Sequence, residues 1–195
     1  PLRDRTILAA STHEGEDGPI LDAFAAARAG LPPLRLILAP RHPQRADDVA
    51  GLVRARDLPL ARRSAGAEEA PEGGVLLADT LGEMARWYAR AGICLVGGSL
   101  QDHGGHTPWE PAAHRCALLR GPHFGNFLEA FDALEAAGAA RAVTAASLPD
   151  ILSRLAARPG EARAMGDRAR AVLVARAGDP AGLITRLDDL AQRRG

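Results

Sequence analysis

The sequence predicts an α/β domain built on a doubly wound, parallel, Rossmann-like sheet, and three observations carry that prediction. Short, nearly continuous apolar runs alternate with longer stretches of helical periodicity through the first 146 residues or so. Strands that crossover helices cover on both faces have this appearance, because neither face calls for polar residues. Polar residues, histidines above all, then gather just past the ends of the runs.

Taken in order, "TILAAS" (6–11) is the first strand, and a helical pattern follows over about 19–30. "LRLILAP" (34–40) is the second strand, followed by a helix over 44–57. "LPLARR" (58–63) adds a short strand, and "RSAGAEEAPEGG" (63–74) has the composition of a surface loop. The next strands are "VLLAD" (75–79), "ICLVGG" (93–98), "CALLRG" (116–121) and a weak one around 141–144. Helices at 81–91, 108–114 and 125–137 separate them. From there the pattern is helix only, over 147–157, 160–176 and 180–193. Capping residues or Gly-Pro punctuation open these segments in "SLPD", "RPGE" and "GDPA". The expected organisation is a single domain over 1–195, with an α/β core to about 146 and C-terminal helices over 147–195.

Composition narrows the function classes. A chain of 195 residues suffices for one good core. Its 47% hydrophobic and 25% charged residues are those of a soluble globular protein. A formal net charge of zero supplies no long-range field for nucleic acid or an acidic membrane surface, so neither is expected as a partner. All 24 basic residues are arginine, a bias that points to a GC-rich genome rather than to phosphate binding. No apolar stretch approaches the roughly 20 residues needed to span a bilayer, and no signal peptide precedes the first strand. The opening "PLRDR", without Met, suggests a cut at a linker or a processed start. Cys94 and Cys116 lie in apolar runs without metal-ligand spacing, as buried reduced thiols do.

In a doubly wound sheet the ligand crevice lies beyond the carboxyl ends of the strands. His13 and Glu14 follow the first strand there, Arg41 and His42 the second, and Asp79 and Thr80 a third. Ser99, His103 and His106 follow "ICLVGG", while His123 and Asn126 follow "CALLRG". Five of the six histidines therefore sit past strand ends, with His114 alone inside a helix, and these loops are expected to wall one crevice.

The densest of them is "GGSLQDHGGHTPWEP" (97–111). Thr107 as N-cap, Pro108 at the first helical position and Glu110 at the third spell a capping box. A helix start behind glycines also offers unpaired N–H groups and a positive dipole end to a phosphate. Gly97, Gly98, Gly104 and Gly105 would let backbone approach a ligand, and Glu110 would suit a ribose diol. The pattern is neither GxGxxG nor a P-loop. A nucleotide or sugar-nucleotide site and a plain capped helix both fit it. Zinc held by His103, His106 and a third ligand is a further reading, without a Cys or carboxylate at typical spacing. A serine hydrolase elbow would need a final glycine that "VGGSL" lacks. Trp87 and Tyr88 in "EMARWYARA" belong more naturally to the core than to base stacking.

Together, "ASTHEGED", "LAPRHPQR", "LADTLGEM", "LVGGSLQDHGGHTPWEPAAH" and "LLRGPHFGNF" occur in this order across residues 9–127. Over most of its length the chain resembles the C-terminal, donor-binding half of the 3-deoxy-D-manno-octulosonic acid (Kdo) transferases of Gram-negative bacteria. The resemblance implies one half of a GT-B glycosyltransferase, a fold of two Rossmann-like domains facing each other across a cleft. It implies transfer of Kdo from CMP-Kdo to the lipid A precursor at the cytoplasmic face of the inner membrane, by an inverting displacement without metal or cofactor. Carried over, Arg41 would pair with the donor phosphate, whose oxygens match a guanidinium fork. The backbone around Gly97, Gly98 and Ser99 and the helix from Thr107 would hold the CMP portion. Glu110 would hold the ribose hydroxyls, Asn126 would lie near the phosphate, and His13, Glu14 and His42 would assist near the reacting carbon.

Two departures qualify the transfer. The family reads "GGHNPLEP" where this chain has Thr107 for Asn and Trp109 for Leu. Thr still caps a helix, but a contact from an Asn amide would be lost or altered. The family's N-terminal half, with its membrane anchor, acceptor surface and acidic base, has no counterpart in this sequence. The expectation is thus a donor-binding domain that does not transfer alone and to which no catalytic residue is assigned. Its ties to the lipid A precursor and to the membrane would run through that other half. Alternatives are a GT-B donor domain for a UDP- or GDP-sugar, and a stand-alone nucleotide-binding module.

Overall fold

The computed structural model describes residues 2–29 and 33–178. Among them one sheet forms from β1 (Thr6–Thr12), β2 (Arg35–Pro40), β3 (Leu60–Arg62), β4 (Val75–Leu77), β5 (Ile93–Val96), β6 (Ala117–Arg120) and β7 (Ala140–Ala142). All pairings are parallel, in the order β3-β4-β2-β1-β5-β6-β7. The chain places β2, β3 and β4 on one side of β1, with β4 between β2 and the edge strand β3, and then returns to lay β5, β6 and β7 on the other side. The reversal falls between β1 and β5, which pair from Ile7–Ile93 to Ala10–Val96. That pair of strand ends is where a doubly wound sheet opens a crevice.

Continuous apolar strands serve two cores at once, because successive side chains point to opposite faces. Ile7 and Ala9 of β1 face one core with Leu36, Leu38, Leu95 and Leu119. Leu8 and Ala10 face the other with Ile37, Leu76, Cys94 and Leu118. The first face is covered by α1 (Asp17–Arg28), α2 (Ala46–Arg54) and α6 (Leu148–Ala157). On α1, Ile20, Leu21, Phe24 and Ala27 form the buried stripe expected at helical spacing. The second face is covered by α3 (Met84–Arg90), α4 (Trp109–Ala113) and α5 (Leu128–Ala136). Trp87 and Tyr88 are core residues there, as expected. The long α7 (Pro159–Arg176) serves both cores, Met165 the first and Ala169 the second.

Several boundaries differ from expectation for local reasons. The helix expected over 81–91 begins only at Met84, because Gly82 is left-handed (φ +82°) and the Thr80 hydroxyl donates to the Glu83 carboxylate just before it. The stretch 63–74 is less loop-like than its composition suggests, since Arg63–Ala65 form a 3-10 turn behind β3. Cys94 and Cys116 are buried and unpaired, and burial pushes the Cys116 thiol up to about 11. Among the described residues no helix is long and apolar enough to cross a membrane. The helix expected over 180–193 lies outside the described residues.

Candidate functional site

Four histidines from three loops meet above the ends of β1 and β5. The His13 ring stacks on His103 at 4.3 Å between centroids, lies nearly parallel to His106 at 5.1 Å, and meets His42 edge-on at 5.8 Å. His13 Nε2 and His106 Nε2 are 2.9 Å apart. One nitrogen of that bond must carry the hydrogen and the other the lone pair. Gly98 makes this proximity possible. It adopts φ +67°, and a Cβ there would lie 3.2 Å from the His106 ring and 3.4 Å from that of His13.

Both rings of the bonded pair are held toward the neutral form. Burial holds the His13 imidazole below its ordinary value, helped by His103 and His106. Burial also lowers His106, with the charge of Arg41 as the next cause. Arg41 follows β2, where its N–H donates to the Thr12 carbonyl at 2.9 Å. Its guanidinium is exposed and, among the described residues, forms no hydrogen bond or ion pair. By contrast, nearby Arg45 is committed to Asp17.

Beneath the cluster lies a residue that the sequence reading passed over. Glu16 is fully buried, and its carboxylate accepts four backbone N–H groups. Oε2 takes those of His13 (2.8 Å) and Gly98 (2.7 Å), and Oε1 takes those of Ser99 (2.9 Å) and Leu100 (2.8 Å). The backbone around Gly97, Gly98 and Ser99, expected to help hold the CMP portion, has its N–H groups already engaged within the chain. The N–H of Gly97 bonds the Ala10 carbonyl, and those of the next three residues are committed to Glu16. Ser99 is likewise a bracket rather than an open contact. Its hydroxyl donates to the Val96 carbonyl at 2.5 Å and accepts from the Gly121 N–H at 2.8 Å, and its carbonyl accepts from His123.

The capping box is corrected. Helix α4 starts one residue later than expected, with Pro108 at the cap position and no side-chain cap. The Thr107 hydroxyl instead accepts weakly from the Trp109 N–H at 3.4 Å, a turn closed two residues on. Glu110 is exposed, and the group it acts on is the Tyr88 phenol, which burial first and then Cys94 and Glu110 push far up.

The other candidates divide. Asn126 joins the glycine-rich loop, its N–H donating to the Gly104 carbonyl at 3.1 Å and its side chain lying against Gly104. His123 sits on that wall with Asp102, 3.7 Å away. Glu14 is exposed and lines a groove of about 670 Å³ with Asp17, Arg45 and Asp47, outside the imidazole cluster. Asp79 does not join the crevice. It accepts from the Ser64 N–H (2.8 Å), the Ser64 hydroxyl (2.6 Å) and Arg62 Nε (2.9 Å), tying β4 to the edge strand β3. Although four histidines cluster here, among the described residues no group of three or more His, Cys, Asp or Glu side chains is placed to hold a metal ion.

What the arrangement offers chemically is recognition of an anion by one free guanidinium and a pair of imidazoles able to take up a proton. No family model matches the chain. A 3-deoxy-D-manno-octulosonic acid transferase from Bordetella pertussis is 42% identical over 188 residues, covering 94% of this chain and 44% of that protein. The chain thus spans a little under half the length of that curated relative. The crystal structure of the C-terminal CMP-Kdo binding domain of WaaA from Acinetobacter baumannii is 33% identical, with a TM-score of 0.80 over 88% of this chain and 90% of that one. WaaG, a glycosyltransferase involved in lipopolysaccharide biosynthesis, is 12% identical at a TM-score of 0.55, covering 89% of this chain and 43% of its own, a likeness of fold alone.

Proposed function

The chain belongs to the 3-deoxy-D-manno-octulosonic acid (Kdo) transferase family, as its C-terminal GT-B domain, and from that premise we propose that it binds CMP-Kdo and presents it to an acceptor held by a second domain. The observation that carries the proposal is the unpartnered Arg41 guanidinium beside the His13–His106 pair, at the point where the sheet reverses. In the transfer, an acceptor hydroxyl of the lipid A precursor attacks the anomeric carbon as its bond to the CMP phosphate oxygen breaks. The phosphate gains one negative charge as CMP leaves, and the hydroxyl proton passes to a base on the other domain. Groups aimed at that growing charge act where it develops. Arg41 supplies a fixed cation and the imidazole pair a proton-dependent one. The exposed carboxylate of Glu110, which also faces the Tyr88 phenol, takes the ribose hydroxyls, and Asn126 flanks the phosphate. The domain's working place is the cytoplasmic face of the inner membrane, reached through the rest of the transferase.

Calorimetric titration with CMP tests this directly. CMP should bind, UDP and GDP should compete poorly, and Arg41→Ala should weaken CMP by about tenfold or more, as loss of a charge-assisted hydrogen bond does. Absence of CMP binding at millimolar concentration would refute the assignment.

A further inference from the structure

We propose that Glu16 is the positioning residue of this crevice. Its buried carboxylate takes the place an anionic ligand would occupy in the glycine-rich loop, so that the imidazoles of His13 and His106 with Arg41, and not the amides of residues 98–100, meet the ligand phosphate. The inference rests on the donor-binding reading given above.

Successive backbone N–H groups aimed at one point make a ready anion site. Here Gly98, Ser99 and Leu100 form such a site, and Glu16 fills it from another element. With His13 included, each carboxylate oxygen accepts two N–H groups, which satisfies its hydrogen-bonding capacity. A phosphate entering this nest would have to expel Glu16 and leave its charge buried without partners, a change that is strongly unfavourable. With the amides of residues 98–100 closed to it, the phosphate is left on this wall of the crevice to side chains.

The same carboxylate fixes which side chains those are. His13 leaves the end of β1 and the glycine-rich loop leaves the end of β5, and Glu16 bonds to both. It thereby sets the spacing at which the two Nε2 atoms meet at 2.9 Å. Although Glu16 stands at the cap position of α1, its side chain makes no cap bond to that helix. Its second effect is electrostatic. The groups that face the imidazole pair are Glu16 from the start of α1, Arg41 and His42 from the loop after β2, and His103 from the glycine-rich loop. Of these Glu16 alone favours the protonated rings.

Histidine-ring and amide NMR on the whole chain tests the proposal. In Glu16→Gln the titration midpoints of His13 and His106 should both fall, and the CMP dissociation constant should rise about tenfold. Asp48→Asn, which removes an exposed carboxylate on α2, should move neither. A folded Glu16→Gln protein with wild-type midpoints would overturn the inference, since a purely structural bracket would leave them in place. The wild-type chain offers a test that needs no variant to fold. CMP should shift the His13 and His106 ring resonances, while the Ser99 and Leu100 amides keep their protection from exchange. A scalar coupling from the CMP phosphorus to any amide of residues 98–100 would also overturn it. If CMP does not bind, the donor reading fails by itself, and the ligand-free ring titrations still decide whether Glu16 governs the pair.

Discussion

The carboxylate of Glu16 and the backbone N–H of Ser99 meet at 2.9 Å although they stand 83 positions apart in the chain. Through that contact the loop after the first strand and the loop after the fifth become one rigid rim. Ser99 extends the rim further, because its hydroxyl holds the Gly121 N–H at the end of β6.

Ser99→Ala should therefore destabilise the domain by about 1–3 kcal/mol, the usual consequence of leaving a buried N–H without its acceptor. Urea unfolding measures this directly: the midpoint should fall while the slope is unchanged.

Gly97→Ala should be costlier than its one methyl suggests. A Cβ at Gly97 would stand 2.5 Å from the Ser11 carbonyl oxygen and 2.6 Å from that of Ala10, both backbone atoms of β1. Relief requires β5 to move away from β1, and overpacking of this kind costs about 1–3 kcal/mol. Gly51→Ala on α2, where a Cβ meets nothing within 4 Å, is the matched control and should be neutral or slightly stabilising. Thermal melts of the two variants should separate clearly.

Acid should weaken the fold through the crevice. His13 and His106 are held below the ordinary 6.5, so the unfolded chain binds protons that the folded chain resists. Their contribution is full above about 6.5 and is lost as pH falls from there through the lowered folded values. Denaturation midpoints at descending pH should show this slope, and His13→Gln together with His106→Gln should flatten it.

Asp79→Asn should separate stability from ligand binding. Burial pushes the Asp79 carboxyl up, but hydrogen bonds from Ser64 and Arg62 outweigh this and hold it below its usual range. Loss of its charge weakens the tie to β3 by about 1–3 kcal/mol, whereas CMP affinity should not change. Paired melting and calorimetry would check both halves of the statement.

Much of this architecture is written in local pattern. The runs that became β1, β2, β5 and β6 are apolar on both faces because each strand feeds two cores, so their signal survives without any knowledge of strand order. The histidines are legible for a related reason, since a polar residue directly after such a run has only the crevice end to occupy. Glu16 was not legible. In "STHEGED" two glutamates stand two positions apart, and no local cue says that Glu14 is solvated while Glu16 turns inward to amides more than eighty positions away. Asp79 failed in the opposite direction. It obeys the strand-end rule, but β4 lies two strands from β1 in the sheet, an order that appears only once the chain is folded. At Thr107 the capping pattern met a proline one position on, and the helix began after it instead.

On the donor-binding proposal, the bond between the two Nε2 atoms has a consequence for which ligand charge the crevice favours. A hydrogen-bonded imidazole pair holds either no extra proton or one, so the crevice floor behaves as a two-position switch rather than as a fixed charge. A donor carrying a single phosphate charge can be received with the switch off. Free CMP, with one charge more, is best neutralised with the switch on. Acid would then strengthen the binding of CMP more than that of a ligand with a single phosphate charge.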